Sequence, residues 1–353
     1  MNKSYFHRVH DATPTRFWIN NPTLEQAKLA IEAGAIGCTT NPSFVSKLLV
    51  DPKEKEVVRR TVDLLLSYES DDSIVAAKVQ QMMIGRLADL FLPLFEASGG
   101  VEGLVTIQGD PYRETDASAI IEEGLENSKV AKNVCIKIPV TTWGIEAIET
   151  MVKHNIPTMA TEVMGLSQMI SISEAYKEAS EASGFAPPFW VTHITGILDD
   201  HFKRVIKEQN LTIDPELLKY AGLSIAKTQY KLFKERKYPG TMIGGGARKL
   251  EDFTELVGAD MHITINWAGT ADKLIELDKD VASRIDFNLN QEQIDRLGRE
   301  LPDYDRALQV DGMTVDEYFD YGGVELFRTS FQKGWDELLA YIGERRKAYE
   351  AKN

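Results

Sequence analysis

Eight short β-branched or apolar runs recur along this chain, and most of the segments between them read as amphipathic helices. The runs are RFWIN (16–20), GCTT (37–40), GLVTIQ (103–108), VCIKIPV (134–140), TMATEV (158–163), FWVTHI (189–194), TMIGG (241–245) and HITIN (262–266). NPTLEQAKLAIEAGA and TTWGIEAIETMVKHN typify the helical segments, with apolar residues returning at helical spacing. Eight strand–helix units in one chain favour a (β/α)8 TIM barrel over a doubly wound sheet. Residues 52–100 carry two long helical patterns with no strand between them, so extra helices are inserted after strand 2. The charged, helical stretch near the end (GWDELLAYIGERRKAYEAKN) predicts a C-terminal extension packing on the barrel or on a neighbouring subunit. The expectation is one barrel domain over 1–353, with 281–353 as the helical extension and a homodimer allowed.

Composition narrows the partners. A formal net charge of -14 repels phosphate backbones and anionic membranes, so neither nucleic acid nor a membrane is expected. No run approaches the length of a membrane span, and the N-terminus lacks a signal-peptide apolar region. Two cysteines, Cys38 and Cys135, make no disulfide framework, and a reducing cytoplasm is the expected location. The six histidines are scattered without metal-ligand spacing, so no metal is expected. A small anionic substrate needs only a local positive spot.

In a barrel, chemistry gathers at the C-terminal ends of the strands and in the loops that follow. Those positions hold Asn20, Thr39, Thr40, Asn41, Gln108, Asp110, Lys137, Thr161, Glu162, Thr192, His193, Gly244 to Arg248, and Asn266. Lys137 is the exceptional one. Alternation puts Val134, Ile136, Ile138 and Val140 on the helix-facing side of their strand, and Cys135, Lys137 and Pro139 inside the barrel. An ammonium there loses hydration, which favours the neutral amine, a nucleophile able to form a Schiff base with a carbonyl. The competing reading is a structural lysine paired with a carboxylate. Glu162 is the main candidate partner, although alternation sets it out of phase with Thr161. Asn41, in CTTNPSFV (38–45), serves equally as part of a helix start or as an amide offered to a bound hydroxyl.

These pieces carry a family resemblance. TTNPS (39–43), CIKIPVTTWGIEAI (135–148), HITGILDD (193–200), MIGGGARKLEDF (242–253) and HITINWAGTADKL (262–274) resemble, in order, segments of the transaldolases and more loosely of the fructose-6-phosphate aldolases. The resemblance spans most of residues 16–280. It implies a barrel, a Schiff-base lysine, no cofactor, and transfer of a three-carbon dihydroxyacetone unit between sugars or sugar phosphates.

Residue by residue, the resemblance puts Lys137 on the Schiff-base lysine and Asn41 on a contact to the dihydroxyacetone unit. Thr161 falls on a holder of the catalytic water, and Arg248 on a phosphate ligand. Thr192 stands for a serine, keeping the hydroxyl. The departures are specific. Asn20 replaces an aspartate that moves protons during C–C cleavage, and an amide cannot do that work. Gln108 replaces the glutamate that polarises the catalytic water, as in the fructose-6-phosphate aldolases. Met159 replaces an asparagine, Gly246 a phosphate-binding serine, and Ile197 or a neighbour a second phosphate-binding arginine. Thr39 and Gly246 complete the candidate substrate contacts.

With both carboxylates gone, His193, Asp110 and Glu162 are the candidates to replace them. Each has a bland alternative: a packing histidine, a turn cap, and a rim salt bridge. The IGGGARK segment is expected to form an anion-binding nest, with Arg248 and Lys249 adding charge, or else a plain glycine turn.

Overall fold

The computed structural model describes residues 3–351. Its strands are β1 (Arg16–Asn20), β2 (Gly37–Thr39), β3 (Leu104–Gln108), β4 (Val134–Pro139), β5 (Thr158–Val163), β6 (Phe189–Ile194), β7 (Thr241–Gly245) and β8 (His262–Ile265). Each pairs in parallel with its sequence neighbour, and β8 pairs with β1, so the sheet closes as a barrel in chain order. This is the (β/α)8 barrel predicted from the strand spacing, and each run lies within a residue of its strand.

Burial on both faces explains why these strands read as continuous apolar runs. Every residue of β3 to β6 is buried. The outward side chains Val134, Ile136 and Ile138 join the large core between sheet and helices. The inward ones, Cys135, Met159, Leu104, Ile243, Trp18 and Trp190, form a separate cluster inside the barrel. At its base Trp190 donates its indole N–H to His262 Nδ1 at 3.0 Å, and Trp18 stacks on the His262 ring. Gly37 makes room for this plug, since a Cβ there would lie 2.5 Å from the Trp18 ring. The barrel floor is filled, so within the barrel interior a ligand finds space toward the opposite, C-terminal end.

Three helices follow β2: Phe44–Leu48, Pro52–Leu66 and Asp72–Ala97. Asp51 and Asp71 cap the two long ones by accepting bonds from first-turn backbone N–H groups. After β8 the helices of the extension begin at Gln291, and the longest spans Gly322–Glu350. That helix packs on its own barrel. Arg345 pairs with Asp63 at 2.7 Å and Arg346 with Asp72 at 2.6 Å, fastening it to the inserted helices. Gly334 sits where a Cβ would meet Ser43 Oγ at 2.4 Å, which lets the helix close over the barrel mouth. An N-terminal helix, Tyr5–Ala12, which strand spacing did not reveal, stacks Phe6 on Phe17 at 3.9 Å. No described helix is long and apolar enough to cross a membrane.

Candidate active site

Lys137 projects from β4 into the barrel, level with Gln108 on β3 and Met159 on β5. It is 5% exposed. Its Nζ donates to the Thr40 carbonyl at 3.4 Å and lies 5.7 Å from the centre of the Phe331 ring, which the long C-terminal helix lowers over it. Among the described residues no carboxylate comes within the 4.0 Å of an ion pair, so the paired-lysine reading fails in its simple form. Burial pushes the ammonium below its ordinary value. Glu162 and Glu114 pull it back in part, and the charge of Lys47 pushes the other way.

In front of the lysine lies a pocket of about 240 Å³. One wall is a network of neutral groups. Asn20 donates to Asn266 Oδ1 at 3.0 Å, Thr39 donates to Asn20 Oδ1 at 3.0 Å, and the Thr39 and Thr264 hydroxyls are 2.6 Å apart. Thr192 lines the same pocket with a buried hydroxyl that has no hydrogen-bond partner among the described residues. Asn41 also lines it, while its Oδ1 accepts from the Ser43 N–H at 3.1 Å and so closes the turn that leads into the next helix, whose N-cap is Ser43. The titratable side chains on this lining are Lys137, Lys47 and Arg248, all basic.

The outer end is positive, though not in the way the sequence suggested. Arg248 lines it but shares its charge with Asp200, 3.2 Å away. Gly246 holds a left-handed backbone (φ +65°), and a Cβ would strike Ile194 at 2.5 Å. The expected nest is occupied from within, because the backbone N–H groups of Arg248 and Lys249 donate to Asp252 Oδ2 at 2.7 and 3.2 Å. The Lys249 ammonium turns away to Asp199 at 2.6 Å. Lys47, from the helix after TTNPS, takes its place. It is exposed at the rim, makes no ion pair with a described residue, and is lowered in pKa by crowding and by the Arg248 charge.

Behind the lysine the expectation of a rim salt bridge for Glu162 is overturned. Glu162 is 1% exposed and has a left-handed backbone (φ +63°) at a register shift between β5 and β6. Such a bulge breaks strict alternation, which is why phase counting misplaced the side chain. Gln108 Nε2 donates to Glu162 Oε1 at 3.4 Å and to Glu114 Oε1 at 3.2 Å, bridging two buried carboxylates. Burial raises both. For Glu162 the charges of Lys137 and Arg328 and the Gln108 bond oppose the rise, and for Glu114 the like charge of Glu162 adds to it. Thr161 Oγ1, Gln108 Oε1 and Glu162 Oε2 are buried without hydrogen-bond partners among the described residues.

His193 requires a correction. It faces outward from β6, is fully buried, and sits 2.6 Å from Gln229 Oε1 through Nδ1. Burial pushes its imidazole down to about 4. Strand alternation decides this, since Thr192 and Ile194 on either side line the pocket. Asp110 is the turn cap of its alternative reading, accepting from the Tyr112 N–H at 2.9 Å. Sequence reasoning missed Glu114, Lys47, Thr264 and the Phe327–Phe331 segment of the last helix. Only Lys47 had a local signal, a cation one helix past a strand-end motif.

Fold and pocket together define a (β/α)8 barrel built around a buried lysine at the C-terminal end of its fourth strand. The model of the transaldolase/fructose-6-phosphate aldolase family matches residues 17–338, and the chain belongs to that family. It is similar to a transaldolase of Thiobacillus denitrificans, 25% identical over 348 residues, covering 90% of this chain and 92% of that protein. Transaldolases of Mycobacterium ulcerans and Kocuria rhizophila are each 24% identical over 220 residues. Those alignments cover 57% and 59% of this chain, and the chain spans only 55% and 58% of their lengths.

Proposed function

We propose that the protein forms a Schiff base between Lys137 and the carbonyl of a ketose or ketose phosphate, then releases or transfers a dihydroxyacetone unit. The observation that carries the reading is the buried lysine, with no ion pair among the described residues, at the floor of a polar pocket. Desolvation makes its neutral, nucleophilic form accessible near neutral pH. Asn41 and Thr192 bind hydroxyls of the sugar, and Lys47 with Arg248 receives an anionic end such as a phosphate. Thr161 and Gln108 orient a water at the lysine. Asn20 holds a hydroxyl but moves no proton.

The neutral wall favours a refinement. Breaking the C–C bond needs a base at the C4 hydroxyl, and the wall of Asn20, Thr39, Thr264 and Asn266 contains none. Cleavage is therefore slower than imine formation. The test is incubation with fructose 6-phosphate, with and without an aldose acceptor, comparing the unaltered protein with Lys137→Ala. Release without acceptor marks an aldolase, and turnover only with acceptor marks a transaldolase. Turnover that survives Lys137→Ala refutes the proposal.

A further inference from the structure

We infer that Glu162 and Glu114, bridged by the Gln108 amide behind Lys137, form the proton store for imine formation and replace from the opposite side the acid–base groups missing at positions 20 and 108. The inference rests on the Schiff-base reading of Lys137. Four observations converge on it. Glu162 is turned inward by a backbone bulge with a positive φ that a non-glycine residue adopts only under constraint. One amide nitrogen serves both carboxylates, at 3.2 and 3.4 Å. The second Glu162 oxygen, the Gln108 oxygen and the Thr161 hydroxyl are buried with no hydrogen-bond partner among the described residues. A cavity of about 20 Å³ touches Lys137, Gln108 and Glu114, enough for about one water.

The protons balance. The Lys137 ammonium gives one proton to the Glu162 carboxylate, leaving a neutral amine and a neutral acid. The amine attacks the ketone carbon, and a proton passes from nitrogen to oxygen to give the neutral carbinolamine. Glu162 returns its proton to the carbinolamine hydroxyl, which leaves as water while the nitrogen lone pair forms the C=N bond. The products are the protonated imine, one water and the original carboxylate. Glu114 acts as a positioning residue. Burial and the like charge of Glu162 push the Glu114 carboxyl up, so the pair as a whole holds a proton toward the neutral range. Every charged group acting on the trio belongs to a different part of the fold. Lys137 comes from β4, Lys47 from the helix after β2, Asp110 from the loop after β3, and Arg328 from the C-terminal helix.

The experiment measures the rate of borohydride-trapped adduct formation with dihydroxyacetone, read by intact mass from pH 5 to 9. Glu162→Gln should slow adduct formation by about a hundredfold, the lower range of general acid–base contributions, and abolish the acid limb of the pH profile. Glu162→Asp should restore part of the rate, which a purely structural role does not require. Glu114→Gln should keep most of the rate and move the acid limb to lower pH. Near-ultraviolet circular dichroism identifies any variant that fails to fold, and Glu114→Gln then carries the test through its shifted limb. An unaltered rate and profile in Glu162→Gln would overturn the inference while leaving the Lys137 adduct intact. No adduct in the unaltered protein would overturn the Schiff-base reading and this inference together.

Discussion

Lys47→Met should weaken binding of a ketose phosphate while leaving the matching unphosphorylated ketose almost unchanged. Lys47 stands at the pocket mouth with no ion pair among the described residues, whereas Arg248 already faces Asp200 at 3.2 Å. Two unit charges about 4 Å apart at an effective dielectric constant of about 20 attract by about 4 kcal/mol. Exposure at the rim and salt screening reduce this to about 1–2 kcal/mol, a factor of about 5 to 30 in KM. The assay is steady-state kinetics on fructose 6-phosphate and fructose at low and high salt. The difference between the two substrates should shrink as salt rises in the unaltered protein and be nearly absent in the variant. Removing Lys47 also removes a positive charge that lowers the Lys137 ammonium, so the adduct-forming limb should move to higher pH. Equal losses on both ketoses, or no salt dependence, would refute an electrostatic role for Lys47. Arg248→Met should cost less than Lys47→Met, because Asp200 shares its charge.

Asn20→Asp should raise cleavage of fructose 6-phosphate by about tenfold or more, by restoring a base to the neutral wall, as measured by glyceraldehyde 3-phosphate release. Flat or falling activity would mean that the pocket is rebuilt around the amide. Gly37→Ala should destabilise the fold by about 1–3 kcal/mol, because a Cβ would press on Trp18; urea denaturation checks this. Buried His193 should make the protein acid-sensitive. Its imidazole titrates near 4 in the fold against an ordinary 6.5, so the unfolded chain binds the extra proton first. The stability it contributes is complete above pH 6.5 and is lost as pH falls through 4, roughly 3 kcal/mol across that window. Chemical denaturation at pH 7, 5.5 and 4.5 should show that slope, and His262, pushed down to about 3, adds to it in the same sense.

The barrel was legible because eight buried parallel strands leave eight apolar runs, and both faces of each must be covered. Lys137 was legible for the same reason, as a charge in the middle of an otherwise apolar run. Alternation placed Lys137 inside the barrel, and the same count along β6 separates His193 from Thr192, whose phase is opposite. Glu162 was misread because a single bulged residue reverses phase, and nothing in TMATEV marks that bulge. Glu114 sits in a loop, where no periodicity says which way a side chain turns. The filling of the glycine loop by Asp252 and the closing of the mouth by Phe331 join residues far apart in the chain. Such pairings emerge only when the chain is folded. The family resemblance pointed to Asn41 and Arg248, which line the pocket, but gave no sign of the carboxylate pair on the other side of the lysine.

Borohydride trapping after incubation with fructose 6-phosphate, followed by peptide mapping and mass measurement, tests the central claim most directly. The account predicts a covalent adduct on the peptide containing Lys137, absent in Lys137→Ala. It also predicts that the intact six-carbon ketose phosphate dominates over the three-carbon fragment, because imine formation is served by buried carboxylates and cleavage is not. An adduct on another lysine, or none with any ketose, would contradict the account at its root.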